Sequence, residues 1–425
     1  MTKTVTPNLR FPEFESPLKQ STLGDVIQTL ESGVSVNAED STPAEDQKGI
    51  LKTSAVIRGN FLPVESKVIV DVDEADRASL NPKQDTVIIS RMNTPALVGE
   101  SGYVDQDYPL LFVPDRLWMA STNDDNSTKW LSLLIISPRA RYQISSKATG
   151  TSNSMKNISK PSFLSIDAWV PELPEQQKIA AFLSKVDEKI VLLTEKKDKL
   201  TEYKKGVMQQ LFNGRWETSK SDPTRTTFIP PTLRFKADDG SEFPAWEEKQ
   251  GGELFETISN KNHNSDLPVL AITQNQGAIP RDLINYKISV EQKSVSSYKV
   301  VEKGDFIISL RSFQGGIEYS RYTGICSPAY VVLRPRLEVE DDFYKHYLKT
   351  YPFIIEMQKR LEGIRDGKII SYKYFSEIKI PCPPVAEQVK INNFLKATEL
   401  KISIISNELD SARQWKKGLL QQMFV

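Results

Sequence analysis

Cysteine and histidine are scarce in this chain, with two of each in 425 residues: Cys326 and Cys382, His263 and His346. Two thiols cannot build a disulfide framework, and ligands this few and this scattered argue against an ordinary zinc cluster. No run approaches the roughly 18–20 consecutive apolar residues of a membrane span. The N-terminal stretch MTKTVTPNLRFPEFE has no apolar signal region, so the expected compartment is the cytoplasm, with no membrane partner. Surplus charge is missing too, because 55 basic side chains balance 55 acidic ones for a net charge of +0. That excludes a polycation coating nucleic acid indiscriminately, though not a reader with local basic surfaces, since clustering matters more than the total. There is no GxxxxGK[ST] phosphate loop and no Asn/Asp-Pro-Pro-aromatic run suited to base-amine methylation, so no catalytic residue of its own is expected.

What the chain has instead is repetition. Glu175–Phe212, EQQKIAAFLSKVDEKIVLLTEKKDKLTEYKKGVMQQLF, returns without a gap as Glu387–Phe424, EQVKINNFLKATELKISIISNELDSARQWKKGLLQQMF, at an offset of 387 − 175 = 212. A self-match of this length governs the reading of everything else. Both copies are helical by period. Val186, Ile190, Leu193, Leu200, Val207 and Leu211 keep four-and-three spacing in the first, with Lys197 and Lys204 filling the remaining seam positions. The second copy keeps the same register through Thr398, Ile402, Ile405, Leu409, Ala412, Lys416, Leu419 and Met423. An apolar seam every seven residues turns one stripe toward a partner helix, and each helix can run roughly 55–60 Å. Two independent amphipathic helices, each lying on its own domain, are the alternative. Asp187-Glu188-Lys189 has the composition of a nuclease metal cluster, but its paired copy reads Glu399-Leu400-Lys401, so no metal site is expected there.

The length predicts two to four units. Pro7-Asn-Leu-Arg-Phe11 comes back as Pro231-Thr-Leu-Arg-Phe235, each followed by a predicted short helix, over Leu23–Leu30 and Gly252–Ile258. β-branched content predicts strands at Ile50–Val56, Lys67–Val72, Thr86–Ser90 and Leu110–Val113, then a helix over Asn126–Ile136 and a polar loop over Arg139–Ser154. The second region reads as strands at Leu267–Thr273, Tyr298–Val301, Phe306–Leu310 and Ala329–Leu333, then a helix over Asp341–Leu361. Asp85-Thr-Val-Ile-Ile-Ser-Arg91 matches Asp305-Phe-Ile-Ile-Ser-Leu-Arg311 in type and spacing. Proline-rich Val170–Pro174 and Ile380–Pro384 break the chain just before each long helix. Gly214–Pro230, polar and without periodicity, reads as a linker. The middles of the two regions do not align: a shared frame holds different contents.

This arrangement resembles the specificity subunit of type I restriction–modification systems. The resemblance covers nearly the whole chain. It rests on PEQQKIAAFL…KKGVMQQLF, its echo AEQVKINNFL…KKGLLQQMF, the paired Pro-x-Leu-Arg-Phe openings, Ala271-Ile-Thr-Gln-Asn-Gln-Gly277 and Arg311-Ser-Phe-Gln-Gly-Gly316. It implies an α+β protein, with two α/β target recognition domains in pseudo-twofold arrangement joined by a long antiparallel two-helix coiled coil. The domains would be residues 1–170 and 231–381, with spacer helices at 171–213 and 382–425 and a linker at 214–230. Each recognition domain would read one half of a split, asymmetric double-stranded DNA site, with half-site centres about one turn (~34–36 Å) apart. The helices would set the gap and dock two modification subunits. Those subunits would use S-adenosylmethionine to methylate adenine in a base turned out of the duplex, and this chain would bind no cofactor itself. Cleavage driven by ATP and Mg would need restriction subunits, two of them if present. A coiled-coil scaffold whose globular ends bind proteins is the reading from another class.

Arg binds guanine O6 and N7 with both arms, and Asn or Gln does the same to adenine N6 and N7. By that chemistry the candidate DNA contacts are Arg91, Asn93 and Thr94 after the first matched strand, and Arg311, Ser312 and Gln314 after the second. Thr273, Gln274, Asn275 and Gln276 form an amide-rich loop of the same type. Lys147, Thr149, Thr151, Ser152, Lys156 and Lys160 make a basic, hydroxyl-rich loop suited to phosphates, and Arg360, Arg365, Lys368 and Lys373 occupy the equivalent place in the second half. The competing reading has these groups capping strands and turns or simply solvated. Lys196, Lys197, Lys199, Lys204 and Lys205 fit helix solubility, seam edges or partner contacts better than DNA, and His263 and His346 carry no pattern.

Overall fold

The computed structural model describes residues 5–152, 155–218, 226–264, 266–284, 292–337, 339–359 and 370–425. The chain divides into two compact units, Met1–Glu195 with Ser406–Val425, and Lys196–Ile405. Each unit therefore owns one stretch of both long helices.

In unit 1, Thr86–Ser90 is buried along its whole length, which is why β-branched TVIIS folds as a central strand. It lies in a six-stranded sheet ordered Ile27–Ser32, Leu117–Thr122, Thr86–Ser90, Ser101–Val104, Gly59–Phe61, Val56–Ile57. Lys19–Thr22 pairs separately with Asp167–Val170 just ahead of the long helix. Unit 2 repeats this frame. Its sheet runs Phe255–Ile258, Val331–Pro335, Phe306–Ile308, Glu318–Tyr319, and Glu247–Gln250 pairs with Lys379–Cys382. The two matched segments ending in Arg91 and Arg311 thus supply the third strand of the same antiparallel order in each unit.

Several predicted elements change. The helices expected over Leu23–Leu30 and Gly252–Ile258 last one turn, Leu23–Val26 and Gly251–Leu254, before the chain enters the sheet as Ile27–Ser32 and Phe255–Ile258. Both turns carry a capping box, Thr22 with Asp25 and Gln250 with Glu253, but β-branched residues and sheet pairing take the rest. The polar loop expected over Arg139–Ser154 is a helix, Pro138–Lys147, then a strand, Thr149–Ser152; Asn153 and Ser154 lie outside the described residues. Ser137 caps that helix and Pro138 opens it, while only Ala140 and Ile144 are buried, so its apolar face is too narrow to show as a period. The helix expected over Asp341–Leu361 splits into Asp341–Tyr347 and Tyr351–Gln358, with Pro352 starting the second; Leu361 lies outside the described residues. Ile50–Val56 breaks into Gly49–Leu51, a 3-10 turn at Thr53–Ala55 and Val56–Ile57. Lys67–Val72 shortens to Ser66–Val68, because Asp71 caps a helix beginning at Val72. Leu110–Val113 shrinks to Leu111–Phe112, Leu267–Thr273 to Leu270–Thr273 and Phe306–Leu310 to Phe306–Ile308. Tyr298–Val301 and Ala329–Leu333 shift to Lys299–Val301 and Val331–Pro335. Within Gly214–Pro230, Arg215–Thr218 pairs antiparallel with Thr226–Ile229, and residues 219–225 lie outside the described residues.

The central helix (Leu173–Leu211) and the terminal helix (Val385–Met423) are unbroken for 39 residues each, about 58 Å. In unit 1 the start of the central helix meets the end of the terminal one. Phe182 sits edge-on to Trp415 at 6.0 Å, Asp187 pairs with Lys416 at 2.6 Å, and Leu183, Val186, Leu419 and Met423 share a core with Trp130 and Phe163. In unit 2 the end of the central helix meets the start of the terminal one, with Tyr203 on Phe394 at 6.4 Å and Lys204 on Glu399 at 2.7 Å. The helices face each other in antiparallel sense rather than lying apart. Val186, Leu193, Leu211, Ile405, Leu409, Ala412, Leu419 and Met423 are buried, and Ile190, Leu200, Val207 and Ile402 half-buried. The two ion pairs are one pair repeated, because 204 + 212 = 416 and 187 + 212 = 399. A lysine on the seam keeps its stem in the apolar stripe and carries its charge to the facing helix.

Candidate nucleic-acid interface

The repeated motifs build a clamp between each globular part and its helix. Arg10 donates from Nε and Nη2 to the two carboxylate oxygens of Glu175 at 2.8 and 2.7 Å. Arg234 does the same to Glu387 at 2.9 and 2.6 Å, where Trp246 Nε1 adds a third bond at 2.8 Å. These bonds raise both guanidinium pKa values above the usual range. The next residue repeats as well. Gln176 donates to Pro171 O at 2.9 Å and accepts from Ser127 N at 2.9 Å; Gln388 donates to Pro383 O at 2.8 Å and accepts from Glu340 N at 3.0 Å. The Pro-x-Leu-Arg-Phe and Glu-Gln repeats are therefore structural, and they hold the exposed loops of each unit on a fixed base.

In unit 1 the fold unites two candidate groups far apart in sequence. Met92–Asn93, Met155–Asn157 and Thr149–Ser152 form a three-stranded sheet in which Lys156 stands opposite Asn93. Arg91 is half-buried, and its Nε is shielded from water without a hydrogen-bond partner among the described residues. Thr94 and Thr149 are exposed, Lys156 is half-buried, and Thr151 and Ser152 lie on the strand Thr149–Ser152. Other candidates are occupied within the fold. Asn93 Oδ1 accepts from Thr94 N at 2.8 Å, Lys147 Nζ donates to Ser165 Oγ at 2.9 Å, and Lys160 Nζ donates to Leu30 O at 2.7 Å.

Unit 2 makes a parallel arrangement with a different contour. Gln274, Asn275 and Gln276 are the exposed tip of the hairpin Leu270–Thr273/Gly277–Pro280, while Thr273 Oγ1 closes the turn by donating to Gly277 O at 3.0 Å. Gly277 has φ 76, and a Cβ there would come within 2.5 Å of Tyr319 O, so the turn requires glycine. Arg311 is exposed at the head of the short turn Ser312–Gly315, and Gln314 is exposed beside it. Ser312 is buried, its Oγ accepting from Ser309 N at 2.9 Å, so it braces the turn. A cavity of about 280 Å³ joins the two groups, lined by Thr273 and Gln274 on one side and Ser309 and Arg311 on the other. Lys373 is exposed on the helix Tyr372–Ser376; Arg360, Arg365 and Lys368 lie outside the described residues.

A second cavity in unit 2, of about 720 Å³, runs from the Gln274–Gln276 tip to Lys204, Lys345, His346 and Glu399. Sequence reasoning missed its wall. Lys349 Nζ holds the tip by donating to Gln274 O at 2.6 Å and lies 2.5 Å from Glu318, whose carboxyl burial lifts above its usual range. His346, set aside as patternless, is buried 3.8 Å from Glu399, and burial together with the Lys345 charge pushes its imidazole down to about 4. Among the described residues no group of three or more His, Cys, Asp or Glu side chains is placed to hold a metal, and no helix is long and apolar enough to cross a membrane.

The sequence model of the type I restriction modification DNA specificity domain matches this chain twice, over residues 15–202 and 245–413. The chain is similar to the MjaX type I restriction enzyme specificity subunit of Methanocaldococcus jannaschii, at 22% identity over 366 residues, covering 83% of this chain and 80% of that protein. It is similar to the MjaVIII specificity subunit of the same organism at 28% identity over 126 residues, 29% of each chain. In fold it is similar to a crystal structure of a type I restriction–modification S subunit from M. genitalium, with a TM-score of 0.55, 15% identity and 99% of each chain covered. A chain from a structure of the assembly and conformational transition of a type I R-M system gives a TM-score of 0.53 and 17% identity, over 97% of this chain and 99% of that one. Two family domains, spanning well over half the residues, stand on the doubled clamp described above. The chain belongs to the type I restriction–modification DNA specificity family.

Proposed function

We propose that this chain is the DNA-sequence specificity subunit of a type I restriction–modification complex. Each unit reads one half of a bipartite, asymmetric site, the long helices set the unread interval, and two modification subunits dock on the helices. The single observation that carries this reading is a repeated base with unlike exposed faces. The same clamp and strand order hold Arg91 against a three-stranded sheet in unit 1 and Arg311 against a hairpin in unit 2. Unlike faces on equal bases are what two different half-sites require, and the matched specificity domains favour this over a protein-binding scaffold.

The helices supply a second support. Leu192 is 64% exposed and Ile404 48% exposed, and they occupy one repeat position, since 192 + 212 = 404. An apolar side chain left in water at equivalent points of both helices suits two copies of one partner. The chemistry then belongs to those partners: S-adenosylmethionine sits in the modification subunits, ATP and Mg in a restriction subunit where there is one, and this cytoplasmic chain carries no cofactor. The test is the full chain assembled with its modification subunit. Methylation sequencing should return one split, non-palindromic motif, and affinity for it should fall steeply with salt. Affinity indifferent to DNA sequence would defeat the reading, and Arg311→Ala should relax one half of the motif while sparing the other.

A further inference from the structure

Unit 2 holds a second arginine that the motifs did not mark. Arg281 follows directly after the hairpin strand Gly277–Pro280, and its N–H is tied to Val269 O at 3.0 Å, which pins its backbone at the foot of the hairpin. Its side chain is half-buried, and two guanidinium nitrogens, Nε and Nη1, are shut off from water with no acceptor among the described residues. An ionised fork with idle donors is costly to fold around.

Burial raises the Tyr330 phenol, while the charges of Arg281 and Arg311 both pull it down, so both guanidinium groups lie within electrostatic reach of that phenol. The cavity of about 280 Å³ runs from Arg311 to Thr273 and Gln274, on the hairpin whose foot Arg281 occupies. A four-residue strand covers about 13 Å, which puts the hairpin tip and its foot within reach of one short stretch of duplex. Guanidinium nitrogens without an acceptor in the free domain lose no hydrogen bond on turning toward a ligand, and the fork gains two on meeting a matched pair of acceptors.

We propose that Arg281 is a further DNA-contacting residue of unit 2, acting with Arg311, its fork taking a paired acceptor on the duplex. The acceptors are guanine O6 and N7 or two oxygens of a phosphate. This rests on the specificity-subunit reading.

The experiment measures binding of the full chain, assembled with its modification subunit, to the methylated motif and its single-base variants over a range of salt. Arg281→Ala should weaken binding to the motif about tenfold or more. Relaxation at one or two positions of the half-site that Arg311→Ala also relaxes, by roughly 5- to 150-fold each, assigns a base edge. Uniform weakening across sequences, with a salt slope reduced by about one, assigns a phosphate. Arg281→Lys, which keeps the charge without the fork, should rescue the second outcome and not the first. Unchanged affinity and selectivity, or a lower melting temperature with selectivity intact, would overturn the proposal and leave the specificity reading standing. An unaltered complex without sequence preference would overturn both.

Discussion

Arg234 faces a carboxylate that has no water around it. Glu387 is 0% exposed and receives Arg234 and Trp246. Removing one partner of such a pair strands a buried charge, so Arg234→Ala should cost ~3–5 kcal/mol in a urea titration. A loss near zero would mean water replaces the guanidinium. His346 gives the second test at single side chains. Its folded pKa is about 4 against an ordinary 6.5, mainly from burial, so the unfolded chain binds the extra proton between those values. Stability from the neutral ring is full above about pH 6.5 and is lost on acidification toward pH 4, by up to ~1.4 kcal/mol per pH unit. Glu399 acts in the same sense. Burial opposes its ionisation, but Lys204 and Lys345 outweigh that and hold its carboxyl below the usual range. Denaturation at pH 7, 6 and 5 should show a shallower slope for His346→Gln, and equal slopes would refute the assignment.

The long helices separate two kinds of apolar residue that look alike in sequence. Leu409 is 2% exposed on the seam, while Leu192 and Ile404 stand in water at 64% and 48%. Leu409→Ala should therefore destabilise by ~2–5 kcal/mol. Leu192→Asp with Ile404→Asp should shift stability by only about 0.5 kcal/mol, yet reduce capture of the modification subunit in co-purification. Undiminished capture would remove these positions from the docking surface. The seam itself was legible because seven-residue spacing is a property of one element. The helix Pro138–Lys147 was not: its polar residues concealed a structure held by Ser137, Pro138 and two buried contacts. One-turn helices that run into strands at Ile27 and Phe255 were equally hidden, since a cap marks a start and says nothing of the length that follows.

For the whole assembly the proposal makes a mechanical claim. Adding one heptad at matching points of both long helices keeps the seam in register and lengthens each by about 10 Å. At 3.4 Å per base pair the unread interval should widen, by at most about three base pairs. Methylation sequencing of cells carrying the altered subunit and its partner reads the interval directly. The same two half-sites at the original separation would show that something other than the helices sets it.

Repetition and period carry most of the architecture, because a doubled motif and a heptad stripe are local patterns that survive in a linear string. Arg10, Glu175, Arg234 and Glu387 could be picked out that way, although their pairing across 165 and 153 residues could not. The recognition faces depended on folding. Lys156 comes opposite Asn93 through sheet register, and Gln274 meets Arg311 across a cavity. Arg281 stands out through an absence, two donors left without acceptors among the described residues, which only the folded surroundings make visible.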